Sequence, residues 1–186
     1  MKIWVSSVAR APEIAKVEKP SHAVSLMSPG DWFPELGLGD LRHHKIHLHD
    51  IREELLDHVA PNGEHVRGLI GFLEEWPRED PLLVHCWAGI SRSTATAYVA
   101  ACLHNPQADE IEIAQALRAA SPTAFPNTRI VDFADDILGR KGRMRKAIDS
   151  MGRGEVAEEA VPFFIPARFG SGGDKRGAQK DMGDRS

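Results

Sequence analysis

The sequence predicts an α/β domain with a small, mostly parallel central sheet flanked by helices and a helical C-terminal half. Two observations lead to this prediction: short apolar segments alternate with amphipathic helical patterns in the first half, and helical patterns alone follow. The chain has 186 residues, of which 42% are hydrophobic and 27% charged, as in ordinary globular proteins. A chain of this length buries a sufficient core without a disulfide or metal to stabilise it.

Four segments have the character of β-strands. Each is rich in apolar or β-branched residues and is bounded by Pro, Gly or Asp, which end extended structure. The predicted strands cover residues 3–8, 23–27, 45–48 and 82–85.

Helical patterns separate and follow these strands. Apolar residues recur at helical spacing over residues 66–73, with Asn62 as the expected N-cap. The same spacing recurs over residues 95–102, after Ser91, and Asn105-Pro106 ends that helix.

Two more helices carry their own start signals. Asp109 is followed three residues later by Glu112, a capping-box spacing that predicts a helix continuing to Ala120. Asn127 is the expected cap of a last helix, which Gly139 ends.

The composition changes after Gly152. We therefore predict a domain over residues 1–152 and a largely disordered C-terminal extension over residues 153–186. An apolar segment at residues 161–165 interrupts the extension, and we expect it to dock on its own domain rather than on a partner.

The most informative segment begins with the buried-type strand at residues 82–85, which places His85 and Cys86 at its carboxyl end. At such a strand end, the N-terminus of the following helix directs unpaired N–H groups and its dipole at one point, where anions bind. A turn there can wrap its backbone N–H groups around a tetrahedral oxyanion. Its residues are Trp87, Ala88, Gly89, Ile90, Ser91 and Arg92, with Gly89 supplying backbone freedom.

Three side chains give this turn a chemical function. Cys86 at the base of such a turn is expected to be a thiolate nucleophile, because helix N-termini and cations stabilise the anion. Arg92 can hold two oxygens of a phosphoryl group bidentately, and Ser93 can donate its hydroxyl to the sulfur. These roles together indicate phosphoryl transfer through a phosphocysteine intermediate.

The segment also resembles a known motif. His85-Cys86, five intervening residues and Arg92-Ser93 resemble the active site of the cysteine-dependent protein tyrosine phosphatases. The run of residues 88–93 is most similar to their small dual-specificity branch, of bacterial type. Pro126-Asn127 is similar to the Pro-Asn element that supports the loop in those enzymes, so that the resemblance covers about residues 46–138.

This resemblance implies a phosphatase-like fold and hydrolysis of phosphotyrosine in proteins or peptides, with phosphoserine and phosphothreonine as further substrates. It implies no metal and no cofactor. Phosphatases of this kind also use an aspartic acid as general acid and base, and two residues are candidates here. Asp50 directly follows the strand at residues 45–48, whereas Asp57, with His58 beside it, matches the usual sequence separation better. We favour Asp50, because placement at a strand end fixes geometry while loop length varies freely.

Two alternatives remain open at this stage. One is a binding module that traps phosphoproteins without turnover. The other is a metal-dependent hydrolase, because several histidines crowd one region and two of them would share a strand face near Asp50. These histidines are His43, His44, His47, His49 and His58.

Charge and composition restrict the partners. The formal net charge of −4 argues against bulk capture of nucleic acid, and the basic run at residues 140–146 is expected to be hydrated surface. Two cysteines are too few for a disulfide framework and fit a reducing compartment. With no secretory signal and no apolar run long enough to span a membrane, we expect a cytoplasmic protein.

Overall fold

The structure is a computed structural model that describes residues 1–39 and 42–170. Five strands form one sheet in the order β3-β2-β4-β1-β5. The first four pair in parallel, and β5 runs antiparallel to β1 at one edge. The strands are β1 (Lys2–Ser7), β2 (His22–Met27), β3 (His43–His47), β4 (Leu82–Cys86) and β5 (Phe163–Pro166).

Six helices in the described ranges connect and cover this sheet. They are α1 (Ala11–Glu18), α2 (Gly63–Glu75), α3 (Arg92–His104), α4 (Glu110–Ala120), α5 (Thr128–Ile137) and α6 (Arg143–Ser150). Among residues 1–39 and 42–170, no helix combines the length and apolarity needed to cross a membrane.

The centre of the molecule is β4 together with α3. All five residues of β4 are buried, and so is every residue of α3 from Arg92 to Cys102. Helix α3 contacts β1, β2 and β4 of the sheet and is covered by α2, α4 and α5. A helix buried on all sides needs no charged face, and between Ser93 and Cys102 this helix carries no charged residue. The connection from β4 to α3 is therefore anchored at both ends in the core.

The caps expected from the sequence are present. Asn62 accepts a hydrogen bond from the backbone N–H of His65 at 3.0 Å, and Asp109 accepts one from Ile111 at 2.9 Å. Asn127 accepts from Arg129 at 3.1 Å and from Ile130 at 3.2 Å. Each side chain satisfies N–H groups that have no partner within the first helical turn.

Two helices escaped the sequence analysis. Helix α1 buries only Ala11 and Ala15, so its sequence shows no apolar stripe. Helix α6 begins within the basic run at residues 140–146, which was expected to be hydrated surface, and continues to Ser150. That expectation is wrong for Arg140, whose guanidinium pairs with Glu110 at 2.9 Å while both side chains are less than a tenth exposed.

The C-terminal extension also differs from its prediction. Within residues 153–170, the segment Phe163–Pro166 forms β5 and pairs with β1, so this part is integral to the sheet rather than disordered. The apolar segment at residues 161–165 thus contacts its own domain. The rest of the predicted disordered extension, residues 171–186, lies outside the described residues.

The burial of β5 predicts a measurable contribution to stability. Ile165 is fully buried against the core, so Ile165→Ala is expected to lower the free energy of unfolding by about 2 to 5 kcal/mol, through lost burial and a residual cavity. Urea unfolding of the full chain measures this. The control is Val161→Ala, at a position that is 83% exposed, which should change stability by less than about 0.5 kcal/mol. Equal small effects would show that the extension does not belong to the folded domain.

Candidate active site

The connection from β4 to α3, residues 86–92, is called here the cysteine loop. Four of its carbonyl oxygens accept hydrogen bonds from backbone N–H groups outside the loop. A trans peptide unit directs its N–H opposite to its carbonyl, so that these outward bonds turn the next residue's N–H toward the inside of the loop. The donor and acceptor pairs are Val8 to Trp87 at 3.2 Å, Ala160 to Ala88 at 2.9 Å, Phe125 to Ile90 at 2.9 Å and Asn127 to Ser91 at 3.2 Å.

Gly89 is required at the bend of the loop. Its φ of +75° lies in the left-handed region that L-residues with side chains adopt at a cost. A Cβ atom there would lie 2.8 Å from the carbonyl carbon of Ser6 and 2.9 Å from the backbone nitrogen of Ser7. The loop can rest directly on the end of β1 only because this residue has no side chain.

Cys86 lies at the base of the loop, with only 2% of its surface exposed. Its Sγ lies 3.1 Å from the Oγ of Ser93, which is fully buried in the first turn of α3. The hydroxyl of Ser93 is thus within reach to donate to the sulfur, as the sequence analysis expected.

Arg92 is buried at the start of α3, with 4% of its surface exposed. Its Nη1 donates to the backbone carbonyl of Leu48 at 2.8 Å and to Ser28 Oγ at 3.3 Å. Its Nε is buried and has no hydrogen-bond partner among residues 1–39 and 42–170. In the described ranges, no carboxylate forms an ion pair with this guanidinium. A buried cation with a donor left free is suited to bind an anion that arrives from solvent.

The structure brings one of the two candidate aspartates to this loop. Asp50 Oδ1 accepts hydrogen bonds from Ser91 Oγ at 2.7 Å and from Asn127 Nδ2 at 2.8 Å. The side chain of Asn127 also donates to the carbonyl of Ile51 at 3.2 Å. Asp57 instead lies exposed in the following loop, with a φ of +60°, and does not line the cavity at Cys86. The Pro-Asn element therefore joins the loop after β3 to the cysteine loop.

An open cavity of about 420 Å³ lies over Cys86. Trp87 stands at its edge with 58% of its surface exposed. The guanidinium of Arg52 lies over the ring of Phe125 at 4.3 Å from the ring centre. Sequence reasoning missed Arg52, Phe125, Ala157 and Glu158, because each comes from a segment distant from the motif.

A chain of buried polar side chains lies beneath the loop. Ser25 Oγ lies 2.5 Å from Nε2 of His85 and 2.6 Å from Nε2 of His43. Burial, together with the charges of His43 and Arg92, lowers the pKa of His85 to about 4, although an interaction with the backbone of Cys86 acts in the opposite direction. His85 is therefore neutral at physiological pH. Ser25 was not identified from the sequence, because only the pairing of β2 with β3 and β4 brings it next to these two histidines.

The other histidines are engaged separately. His47 Nε2 lies 3.1 Å from the carbonyl oxygen of Asp31, and its ring stacks on Phe33. His49 accepts a hydrogen bond from the backbone N–H of Val59 at 2.9 Å. Over residues 1–39 and 42–170, no three His, Cys, Asp or Glu side chains converge as a metal site would require. The alternative in which His47 and His49, with Asp50 nearby, would hold a metal ion therefore finds no converging set of three ligands in the described part of the chain.

Comparisons with solved structures identify the fold. The Cydia pomonella PTP-2 phosphatase aligns with a TM-score of 0.55 and 21% identity, covering 71% of this chain and 83% of that one. Human DUSP28 aligns with a TM-score of 0.54 and 19% identity, over 73% and 87% of the two chains. DUSP15 aligns with a TM-score of 0.52 and 20% identity, over 79% and 88%.

The chain has the protein tyrosine phosphatase fold. The α/β architecture expected from the sequence is thereby confirmed. No protein-family sequence profile matches the chain, and a search of curated proteins finds no match.

The close contact at Gly89 yields a prediction about oxyanion binding. Gly89→Ala should displace the loop, because the added Cβ meets backbone atoms that cannot move aside. We expect the affinity for inorganic phosphate, measured by calorimetry, to fall about tenfold or more. Gly71→Ala is the control, since a Cβ at that position meets nothing within 4 Å. Unchanged phosphate affinity in Gly89→Ala would contradict the loop geometry.

The pKa of His85 yields a prediction about stability and pH. Because the folded-state pKa is about 4 and the unfolded one is about 6.5, the unfolded chain binds one more proton between these values. Stability should therefore be lost as the pH falls from 6.5 toward 4, with His85 contributing up to about 3 kcal/mol of that loss. Urea unfolding at several pH values should show that the free energy of unfolding falls less with decreasing pH in His85→Gln than in wild type. The exposed His47→Gln serves as control; an identical pH dependence in wild type and His85→Gln would overturn this assignment.

Proposed function

We propose that the protein is a cysteine-dependent phosphatase that hydrolyses phosphotyrosine in proteins or peptides, with phosphoserine and phosphothreonine as further substrates. The observation that carries this proposal is that one loop places Cys86 at its start and a buried Arg92 at its end, and both line one cavity. The guanidinium is buried, lacks a carboxylate partner among the described residues and keeps a free Nε donor. A dianionic phosphoryl group would satisfy both the charge and the donor.

In the first step, Cys86 Sγ attacks phosphorus in line with the ester bond. An S–P bond forms as the P–O bond to the substrate side chain breaks. The inward N–H groups of the cysteine loop and Arg92 stabilise the equatorial oxygens as charge redistributes among them. Asp50 gives its proton to the departing oxygen, so that a neutral hydroxyl leaves.

In the second step, water attacks the phosphocysteine. Asp50, now a carboxylate, accepts the proton from the water, the S–P bond breaks and inorganic phosphate is released. The Ser93 hydroxyl, 3.1 Å from the sulfur, donates a hydrogen bond to the thiolate as it leaves. The enzyme returns to its initial protonation state.

Asp50 is the better candidate for the general acid on geometric grounds. Its Oδ1 is held by Ser91 and Asn127, which leaves Oδ2 to carry the transferred proton. Such hydrogen bonds fix the orientation of the carboxyl group relative to the cysteine loop. Asp57 has no such connection to the loop.

Residues at the mouth of the cavity favour an aryl phosphate on a peptide. Trp87 and Phe125 offer aromatic surface beside the sulfur. Within the loop, Trp87, Ala88 and Ile90 carry no positive charge, so these three side chains would not neutralise the additional phosphates of an inositol polyphosphate. One of the aligned structures, the Cydia pomonella PTP-2 protein, is itself a phosphatase.

One prediction of the proposed function concerns the nucleophile Cys86. Cys86→Ser should abolish hydrolysis of an aryl phosphate, because a neutral hydroxyl at that position is a poor nucleophile at neutral pH. Wild-type turnover should be unaffected by EDTA. The same variant should still bind a phosphopeptide, which calorimetry can measure. Turnover that is retained in Cys86→Ser, or wild-type turnover that is lost in EDTA, would point to a metal-dependent hydrolase instead. A wild-type protein that binds the phosphopeptide without any turnover would be a binding module.

Another prediction distinguishes the two candidates for the general acid, Asp50 and Asp57. Asp50→Asn should lower kcat on a phosphotyrosyl peptide by about 10²-fold or more, the usual contribution of general acid catalysis. The loss should be smaller on an aryl phosphate with a good leaving group, which needs no protonation. The matched variant Asp57→Asn should retain kcat within about twofold. Equal mild effects of both substitutions would refute both assignments.

A further inference from the structure

We propose that Glu158 is a specificity-determining residue, which selects phosphopeptides carrying Lys or Arg next to the phosphorylated residue. This inference rests on the proposed phosphatase function and names its substrate class. Glu158 lies in a segment of the C-terminal extension, residues 153–162, called here the strap. The strap crosses from the loop before α5 to the cysteine loop and then to β1.

The strap is held by backbone contacts on both sides of the cavity. At its start, the N–H of Glu155 donates to the carbonyl of Pro122 at 2.9 Å. Gly154 lies so close to this loop that a Cβ would be 2.8 Å from the carbonyl oxygen of Ala124. At its end, the N–H of Ala160 donates to the carbonyl of Ala88 at 2.9 Å, within the cysteine loop. Residues between these anchors have a defined position relative to Cys86.

A side-chain contact strengthens the second anchor. Glu159 Oε1 accepts a hydrogen bond from Ser7 Oγ at 2.5 Å. Ser7 is buried at the end of β1 and is paired in register with Cys86 on β4. The strap is thus attached to β1 and to the cysteine loop, on either side of the nucleophile.

Glu158 is the strap residue that presents an unused charge at the cavity. It lines the same cavity as Cys86 and Arg92, and its side chain is exposed to solvent. Among residues 1–39 and 42–170, no hydrogen-bond donor or cation pairs with its carboxylate. Its neighbour Ala157, which also lines the cavity, is uncharged, and Glu159 is already bonded to Ser7.

A bound substrate would place a flanking side chain beside this carboxylate. The phosphoryl group would bind to Arg92 and to the loop N–H groups. The carboxylate of Glu158 would then remain available to a charged side chain of the peptide. A neighbouring Lys or Arg would be attracted, and a neighbouring Asp or Glu would be repelled. Arg52, on the loop after β3, also lines the cavity and carries the opposite charge; the test must therefore separate its effect from that of Glu158.

The expected effect is modest and depends on salt. Exposed charge pairs change binding by at most about fivefold, and ions in solution screen them. We therefore expect kcat/KM to favour a Lys-flanked peptide over a Glu-flanked one by about two- to fivefold at low ionic strength. The preference should shrink at high salt.

The experiment uses the full chain and a set of phosphotyrosyl peptides that differ at one position, occupied by Lys, Ala or Glu. The position is placed once before and once after the phosphotyrosine. With the varied residue either before or after the phosphotyrosine, or in both positions, wild type should hydrolyse the Lys peptide with the highest kcat/KM and the Glu peptide with the lowest. Glu158→Gln should bring the ratio of Lys to Glu peptides close to one, and Glu158→Lys should invert it.

Two control variants complete the design. Glu155→Gln removes a charge from the same strap at a residue that does not line the cavity, and should keep the wild-type ratio. Arg52→Gln should also keep the preference for Lys over Ala. A ratio that is unchanged in Glu158→Gln, or lost only in Arg52→Gln, would overturn the role of Glu158. Absence of hydrolysis of every peptide and of an aryl phosphate by wild type would overturn the phosphatase function and this inference with it.

Discussion

The orientation of the backbone between Cys86 and Arg92 is the constraint on which the site depends. Four carbonyl groups of this loop are bonded outward, to Val8 directly after β1, to the strap and to the residues before α5. Each outward bond directs an N–H group inward, which creates an anion site from backbone alone. Strand β4 and helix α3 hold the two ends of the loop in the core, so the site is formed before any substrate arrives.

The partners of the loop come from distant parts of the sequence. Leu48 offers its carbonyl to Arg92, Asn127 bonds to Asp50, and Ala160 bonds to Ala88. These contacts connect the segment after β3 that carries Asp50, the cap of α5 and the strap to one loop. The extension lines the cavity through the strap and adds β5 to the sheet, so its folding is coupled to the shape of the site.

Local signals were sufficient to predict much of this arrangement. The order of strand, turn and helix around Cys86 and the caps at Asn62, Asp109 and Asn127 are properties of a few adjacent residues, so the sequence displays them directly. Strand β5 could not be predicted in the same way, because four alternating residues gain stability only by pairing with β1. The buried pair of Arg140 with Glu110 likewise joins residues far apart in the chain. Placement at a strand end favoured Asp50 over Asp57 as the candidate acid. The contact of Asp50 with Asn127 also favours Asp50, but only the tertiary structure reveals this contact.

Trapping of the covalent intermediate tests the central claim most directly. Wild-type protein mixed with a phosphotyrosyl peptide and quenched in acid within milliseconds should carry one phosphoryl group, and peptide mass spectrometry should locate it on the sulfur of Cys86. Release of the free tyrosyl peptide should show a burst equal to the amount of enzyme whenever hydrolysis of the intermediate is the slower step. Turnover with no phosphoryl group on Cys86 at any quench time, or with the group on another residue, would contradict the account.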